Sequence, residues 1–279
     1  MRTPAKTWFI TGASRGLGRA FTEAALGRGD HVAAVARDTT PLADLAARHP
    51  EILHVLDLDV TDRAAVQKVV AEAHTRLGHL DVVVNNAGSM YSGMIEEFTE
   101  EQARAQFEVN FFGALWVSQA AMPYLRAQGS GHIVQISSIA ALGGFPTTGL
   151  YSASKFALEG MSEALAQEAA AFGVKVTMVQ PGGYWTDLYT SMTNAAPAAP
   201  YADLRKALEA QWAEGSIDSS PHLAAAALLE LVDSPAPPLR LLLGSMVYDL
   251  AFAISEQRME TWKAWEEVSR AAEHAIPAP

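Results

Sequence analysis

Tyr151 and Lys155 stand four residues apart in Tyr151-Ser-Ala-Ser-Lys155, at the start of a stretch whose apolar residues recur at helical spacing, and a serine pair, Ser137-Ser138, lies just upstream. On a helix, positions i and i+4 share one face with their Cβ atoms about 5–6 Å apart, so an ammonium at 155 sits beside a phenol at 151. A nearby cation favours phenolate. Bringing a phenol down from its ordinary pKa of about 10 requires roughly 1.4 kcal/mol per unit, which a close and partly desolvated lysine can supply. Such a tyrosine trades protons near neutral pH. The same spacing also fits a plain surface helix in which the tyrosine packs and the lysine is solvated, so its meaning depends on the elements around it.

A second chemical feature lies at the other end of the chain. Thr11-Gly12-Ala13-Ser14-Arg15-Gly16-Leu17-Gly18 follows an apolar run and opens a helical pattern. Glycines at 12, 16 and 18 let the backbone turn sharply and approach a pyrophosphate, while the helix N-terminus offers free N–H donors and a partial positive charge. The spacing is G-x-x-x-G-x-G and departs from the general dinucleotide fingerprint. The same residues satisfy G-x-S-x-G, so a second reading makes Ser14 a hydrolase nucleophile with Asp187 and His222 or His274. That reading leaves no upstream strand and loop to supply an oxyanion N–H, and it leaves Gly18 unexplained.

The end of the second strand distinguishes the two nicotinamide cofactors, because an acid there binds the ribose 2′-hydroxyl of NAD and an arginine accepts the 2′-phosphate of NADP. The strand ends Val35-Ala36-Arg37. With Arg15, Arg37 forms a possible two-guanidinium clamp for a phosphate, so the expected cofactor is NADP(H). Asp38, one residue later, keeps a ribose contact open.

These residues need a scaffold, and the chain supplies a regular one. Short β-rich runs occur at Lys6–Thr11, His31–Ala36, Ile52–Leu58, Asp81–Asn85, His132–Ser137, Val174–Gln180 and Leu239–Leu243, with helical periodicity between them. The runs are continuously apolar, as in strands buried on both faces. Alternation of this kind predicts right-handed crossovers and a doubly wound, parallel seven-stranded α/β sheet with helices on both faces, a Rossmann-like single domain over residues 1–279. Residues 183–215, rich in Gly, Pro and aromatic side chains, read as a mobile substrate loop. Helices are expected at Tyr201–Ala213 and Ser220–Leu231. Residues 247–273 read as one amphipathic helix with Leu250, Ile254, Met259, Trp262 and Trp265 available for burial.

Composition narrows the partners. A net charge of −11 without a basic cluster disfavours nucleic acid and anionic lipid over most of the surface. The chain has no cysteine, which excludes disulfides, thiolate metal sites and a cysteine nucleophile; no metal site is expected. No signal-peptide core or membrane-spanning run is evident, so the expectation is a cytoplasmic protein.

Asn85-Asn86-Ala87-Gly88 follows the fourth strand, Asn110 lies in a helical stretch, and Pro181-Gly182-Gly183-Tyr184-Trp185-Thr186 follows the sixth. Together with the glycine turn and the Ser/Tyr/Lys set, and in this order over nearly the whole chain, they resemble the short-chain dehydrogenase/reductase family. The resemblance implies Ser138, Tyr151 and Lys155 as catalytic residues. Asn110 matches a fourth member, which holds a helix kink and a water relay to the lysine. It also implies cofactor contacts from Gly12, Ser14, Arg15, Gly16, Leu17 and Gly18 in the turn, Asp59 and Val60 at the adenine, and Asn86, Ala87 and Gly88 near the ribose. Pro181, Gly182 and Thr186 belong to the nicotinamide end. In this reading Ser138 binds a substrate carbonyl, Tyr151 protonates the developing alkoxide, and Lys155 serves the phenol and the cofactor ribose together. An uncharged set, Met90, Tyr91, Leu142, Phe145, Leu150, Tyr184, Trp185, Tyr189 and Met192, points to an apolar ketone or secondary alcohol. The family's habit implies a homodimer or homotetramer. A non-catalytic cofactor-binding protein of the same fold is the remaining alternative.

Overall fold

The computed structural model describes residues 4–188, 190–215 (the backbone alone for 212–215) and 218–273. Strand β1 (Thr7–Thr11) leads into α1 (Gly16–Arg28) and β2 (His31–Ala36), and the short α2 (Ala43–Arg48) precedes β3 (Leu53–Asp57). After α3 (Arg63–Leu77) and β4 (Val82–Asn85), a two-residue strand β5 (Tyr91–Ser92) precedes α4 (Glu100–Phe107), α5 (Ala114–Gln128) and β6 (Gly131–Ile136). Then come α6 (Gly149–Ala170), β7 (Val174–Pro181), the short β8 (Thr193–Asn194), α7 (Ala202–Gly215), α8 (Pro221–Asp233), β9 (Arg240–Leu243), α9 (Ser245–Ala264) and α10 (Glu266–Ala271).

Seven strands form one parallel sheet in the order β3-β2-β1-β4-β6-β7-β9. The apolar continuity of each strand has a direct cause. Along β1, Trp8 and Ile10 enter a core on one face with Phe21 of α1 and Leu228 of α8. Phe9 enters a second core on the other face with Val70 of α3 and Val117 and Leu125 of α5. Alternate side chains go to opposite faces, and both faces are covered by helices. Strand order reverses between β1 and β4, and this switch point opens a crevice beyond the carboxyl ends of the strands. The glycine turn after β1 and the Asn-Asn-Ala-Gly segment after β4 flank it.

One expectation is corrected and another gains detail. Within the stretch 183–215, β8 pairs in parallel with β5, Tyr91 opposite Thr193 and Ser92 opposite Asn194, and α7 stands where a helix is expected at 201–213. Glu97, whose side chain is only 1% exposed, accepts hydrogen bonds from the backbone N–H groups of Met94 (2.7 Å) and Ala198 (2.7 Å) and pairs with Arg205 of α7. One buried carboxylate thus adds to the β5–β8 pairing in holding this loop to the body. The C-terminal stretch, in turn, is two helices broken at Trp265, and Met259, Trp262 and Trp265 are exposed, whereas Val247 is buried and Leu250 and Ile254 are half-buried. Among the described residues no helix is long and apolar enough to cross a membrane.

Candidate active site

Ser138 follows the end of β6 and caps the single 3₁₀ turn Ile139–Ala141, its Oγ accepting the N–H of Ala140 at 3.1 Å. That bond uses a lone pair and leaves the hydroxyl proton to donate. Tyr151 and Lys155 lie one turn apart in the first half of α6, both buried, with the lysine Nζ 5.7 Å from the centre of the tyrosine ring. Lys155 donates to the carbonyl of Ile136 at 2.8 Å, the residue two before Ser138, which fixes the ammonium beneath the serine segment. An ammonium has three donors, so two remain for other groups. Burial pushes Lys155 down to about 8, while the charge of Glu159 one turn further on opposes that fall.

Asn110 occupies a π-helical segment, Glu108–Gly113, between α4 and α5. Such one-turn widenings re-aim side chains and often mark functional positions. Here the Asn110 amide is bound on three sides: its Oδ1 accepts from Ser89 N–H (2.9 Å), and its Nδ2 donates to Ser89 O (3.0 Å) and to Ser154 Oγ (3.0 Å). Ser154 in turn donates to the carbonyl of Tyr151 at 2.7 Å. A Cβ built on Gly88 would lie 3.5 Å from Asn110 Oδ1 and 3.9 Å from Lys155 Nζ, so Gly88, Asn110 and Lys155 converge on one small volume. Val60 reaches the same segment from the end of β3: a Cβ at Gly113 would come 2.7 Å from its Cγ2.

The glycine turn is held as one piece with the Asn-Asn-Ala-Gly segment. Gly12 and Gly16 have φ of 63° and 54°, the left-handed region that favours glycine. A Cβ at Gly18 would fall 2.2 Å from Gly12 O and 2.4 Å from Asn86 Nδ2, so the start of α1 packs against the turn backbone to backbone. Asn86 Nδ2 donates to Thr11 O (2.9 Å) and Gly12 O (3.1 Å), and Thr11 Oγ1 receives the N–H groups of Asn86 and Ala87, each at 2.9 Å. Asn86 therefore shapes the turn itself. Ala13 N–H bonds Val35 O (3.1 Å) and Leu58 N–H bonds Ala36 O (3.1 Å), which brings the turn, the exit of β2 at Arg37 and the Asp59 segment side by side.

α1 begins with no side-chain cap at Arg15 and no acid in its first turn, so among the described residues no local side chain answers its N-terminal N–H groups and partial positive charge. Arg15 and Arg37 are exposed, and among the described residues neither forms an ion pair. Asp38 is turned aside: its Oδ1 accepts from Thr40 N–H at 3.0 Å, and bonding to the Thr40 side chain first, then to that N–H, lowers its pKa. Asp59 Oδ1 likewise holds Thr61 through N–H (2.9 Å) and hydroxyl (2.8 Å).

At the far end, Thr186 sits on the glycine turn, where a Cβ at Gly16 would be 3.2 Å from Thr186 Cβ. Gly182 serves packing: its N–H bonds Leu243 O at 3.2 Å and a Cβ there would meet Val247 at 2.7 Å. A cavity of about 360 Å³ beside the turn is lined by Gly16, Arg19, Trp185, Thr186, Asp187 and His222, among others. Asp187 and His222 thus come near the turn, yet among the described residues no hydrogen bond joins Ser14 to either, and His274 lies outside them. Tyr184 belongs to the core under α8, not to the open side of Ser138, and burial raises its phenol pKa; Trp185 lines the cavity at the turn instead. Tyr189 lies outside the described residues.

Sequence reasoning missed Thr11, Ser154 and Glu159. Glu159 is the plainest case, because it follows Lys155 by one helical turn on the buried face of α6, a position where an acid requires partners. Its Oε1 accepts from Ser137 Oγ (2.6 Å) and Gln180 Nε2 (2.7 Å), and its Oε2 from Arg240 Nε (2.9 Å).

The chain as a whole has relatives among known proteins. Residues 6–197 match the model of the short chain dehydrogenase family. The chain is 39% identical to oxidoreductase BOA17 of Botryotinia fuckeliana, over 96% of this chain and 99% of that one. The crystal structure of a short-chain dehydrogenase from Streptomyces avermitilis superimposes with a TM-score of 0.89 at 38% identity, covering 96% of this chain and 100% of the other. A short-chain dehydrogenase from Burkholderia cenocepacia, solved in complex with NADP, gives 0.75 at 26% identity, with 95% and 98% covered. The chain belongs to the short-chain dehydrogenase family and is an oxidoreductase of that family.

Proposed function

We propose that the protein reduces an apolar ketone or aldehyde to the alcohol, and catalyses the reverse oxidation, with NADP(H) as cofactor and Tyr151 as general acid and base. The observation that carries this reading is the convergence of Tyr151 and Asn110 on the buried ammonium of Lys155, which is itself tied to the carbonyl two residues before Ser138. The glycine turn, the uncapped start of α1 and the unpaired Arg15 and Arg37 suit a dinucleotide with an extra phosphate, and the NADP-bound relative agrees with that choice. When bound, such a cofactor supplies hydride.

The chain's own residues supply position and protons. Ser138 donates its free hydroxyl proton to the substrate oxygen. Lys155, charged through neutral pH, lowers the cost of phenolate at Tyr151, so this tyrosine delivers a proton to the developing alkoxide and recovers it in the oxidation direction. Two of the lysine's three donors remain for the cofactor ribose and for a relay toward Asn110. Partly buried Leu142, Phe145, Met90 and Met192 offer an apolar surface to the substrate.

Tyr151→Phe tests the assignment. Ketone reduction followed by NADPH absorbance falls at least about 10²-fold, the usual scale of a lost general acid, while NADPH binding by fluorescence titration stays within twofold or so of the parent. Reduction at the parent rate by the variant would remove Tyr151 from the chemistry.

A further inference from the structure

We propose that a second copy of this chain docks antiparallel along the outer face of α9, with a two-fold axis passing close to Ser255. The helix has two apolar stripes. The inner one holds it to the body: Val247 is buried, Ile254 Cδ1 lies 3.1 Å from where a Gly143 Cβ would be, and Arg258 Nη2 donates to Leu142 O at 2.6 Å. The outer one faces water, with Tyr248 56%, Phe252 53%, Met259 45% and Trp262 67% exposed.

These outer residues, with Ser255 between them, follow one another at intervals of four, three, four and three, the seam of a helix made to pack along another helix. The seam is already ordered. Tyr248 and Phe252 meet ring to ring, centroids 4.9 Å apart and planes tilted by 45°, and Ser255 spends its hydroxyl on Ala251 O at 2.6 Å, so no unsatisfied polar group interrupts it. Contiguous exposed aromatic and Met side chains of this kind mark an interface.

Charge decides the occupant and its direction. Asp249 and Lys263 flank the seam at opposite ends, and among the described residues neither has an ion-pair partner. An antiparallel pair about Ser255 sets Tyr248 of each copy opposite Trp262 of the other and brings Asp249 of each within a helical turn of the other's Lys263, leaving Glu256 beside its own copy at the axis; a parallel pair sets like charges together at both ends as well. An anionic bilayer suits the helix poorly, because Ser245 to Glu273 carries six acidic residues against three basic ones.

The test exploits the absence of cysteine. Ser255→Cys, next to the axis, forms a covalent dimer on copper-phenanthroline oxidation, whereas Glu260→Cys, off the seam, does not. By sedimentation equilibrium Asp249→Lys halves the parent mass, and Asp249→Lys with Lys263→Asp restores it, a rescue that a misfolded variant does not give. No cross-link at 255, equal cross-linking at 255 and 260, or a mass unmoved by Asp249→Lys overturns the proposal. So does flotation of a monomer on phosphatidylcholine vesicles that Trp262→Glu abolishes, which would assign the seam to lipid.

Discussion

Lys155 carries a buried ammonium at the centre of the proposed site. Its folded pKa, pushed down to about 8 by burial, lies below the ordinary 10.5, so below pH 8 the folded state bears the full cost of a buried ammonium, and stability from this group rises as pH climbs from 8 to 10.5. Catalysis runs the opposite way, because the ammonium that favours phenolate is lost over the same interval. The pH profile of kcat for reduction should therefore bend down near 8. Glu159 holds the ammonium up, so Glu159→Gln should move that bend to lower pH; a profile with an unmoved bend would show that the two groups are uncoupled. Arg37→Ala should weaken NADPH roughly ten- to a hundredfold, the loss of one charge-assisted hydrogen bond, and leave NADH nearly unchanged, as read by titration with each cofactor. Equal losses would remove the phosphate role. Tyr151, Lys155, Ser138 and Asn110 could be singled out because they form a set in fixed order. Glu159 was not, because its meaning depends on Arg240, a residue 81 positions away.

Among the elements, strands and crossovers could be read because burial on both faces forces uninterrupted apolar runs. The β5–β8 pair and the π-helical turn at Asn110 could not. Two-residue strands have no periodicity, and one widened turn alters hydrogen bonding without altering composition. Backbone contact at the turn gives a sharp contrast between two glycines of α1. Gly18→Ala places a methyl on Gly12 O and Asn86, and should cost about 1–3 kcal/mol of stability together with most NADPH affinity. Gly27, with open space around its Cβ position, should accept alanine and gain up to about 1 kcal/mol. Thermal melts of the two variants compare these directly; similar losses in both would mean that helix propensity, not the close approach, dominates at Gly18.

On the scale of the whole molecule, long-range carboxylates join parts of the chain that sequence order keeps apart. Glu97 is held at about 2, first by the Ala198 N–H and then by Arg205, against an ordinary 4.5. Because its folded pKa is depressed, its stabilisation is fully present above 4.5 and disappears as pH falls from there toward 2. Glu97→Gln should therefore make the 183–215 segment more sensitive to limited proteolysis at neutral pH, and the parent should acquire the same sensitivity near pH 3; cleavage at equal rates in parent and variant at pH 7 would deny Glu97 this role. Glu159 extends the same dependence to the chemistry. Ser138, Tyr151, Lys155 and Asn110, the four groups of the proposed chemistry, lie within residues 6–197, the part that matches the family, but the guanidinium that answers the Glu159 carboxylate arrives with Arg240 on the last strand. A chain shortened after 197 would keep every group that touches substrate and still present Lys155 with an uncompensated neighbour, so the final strand is as much a part of the lysine's electrostatic setting as the helix that bears it.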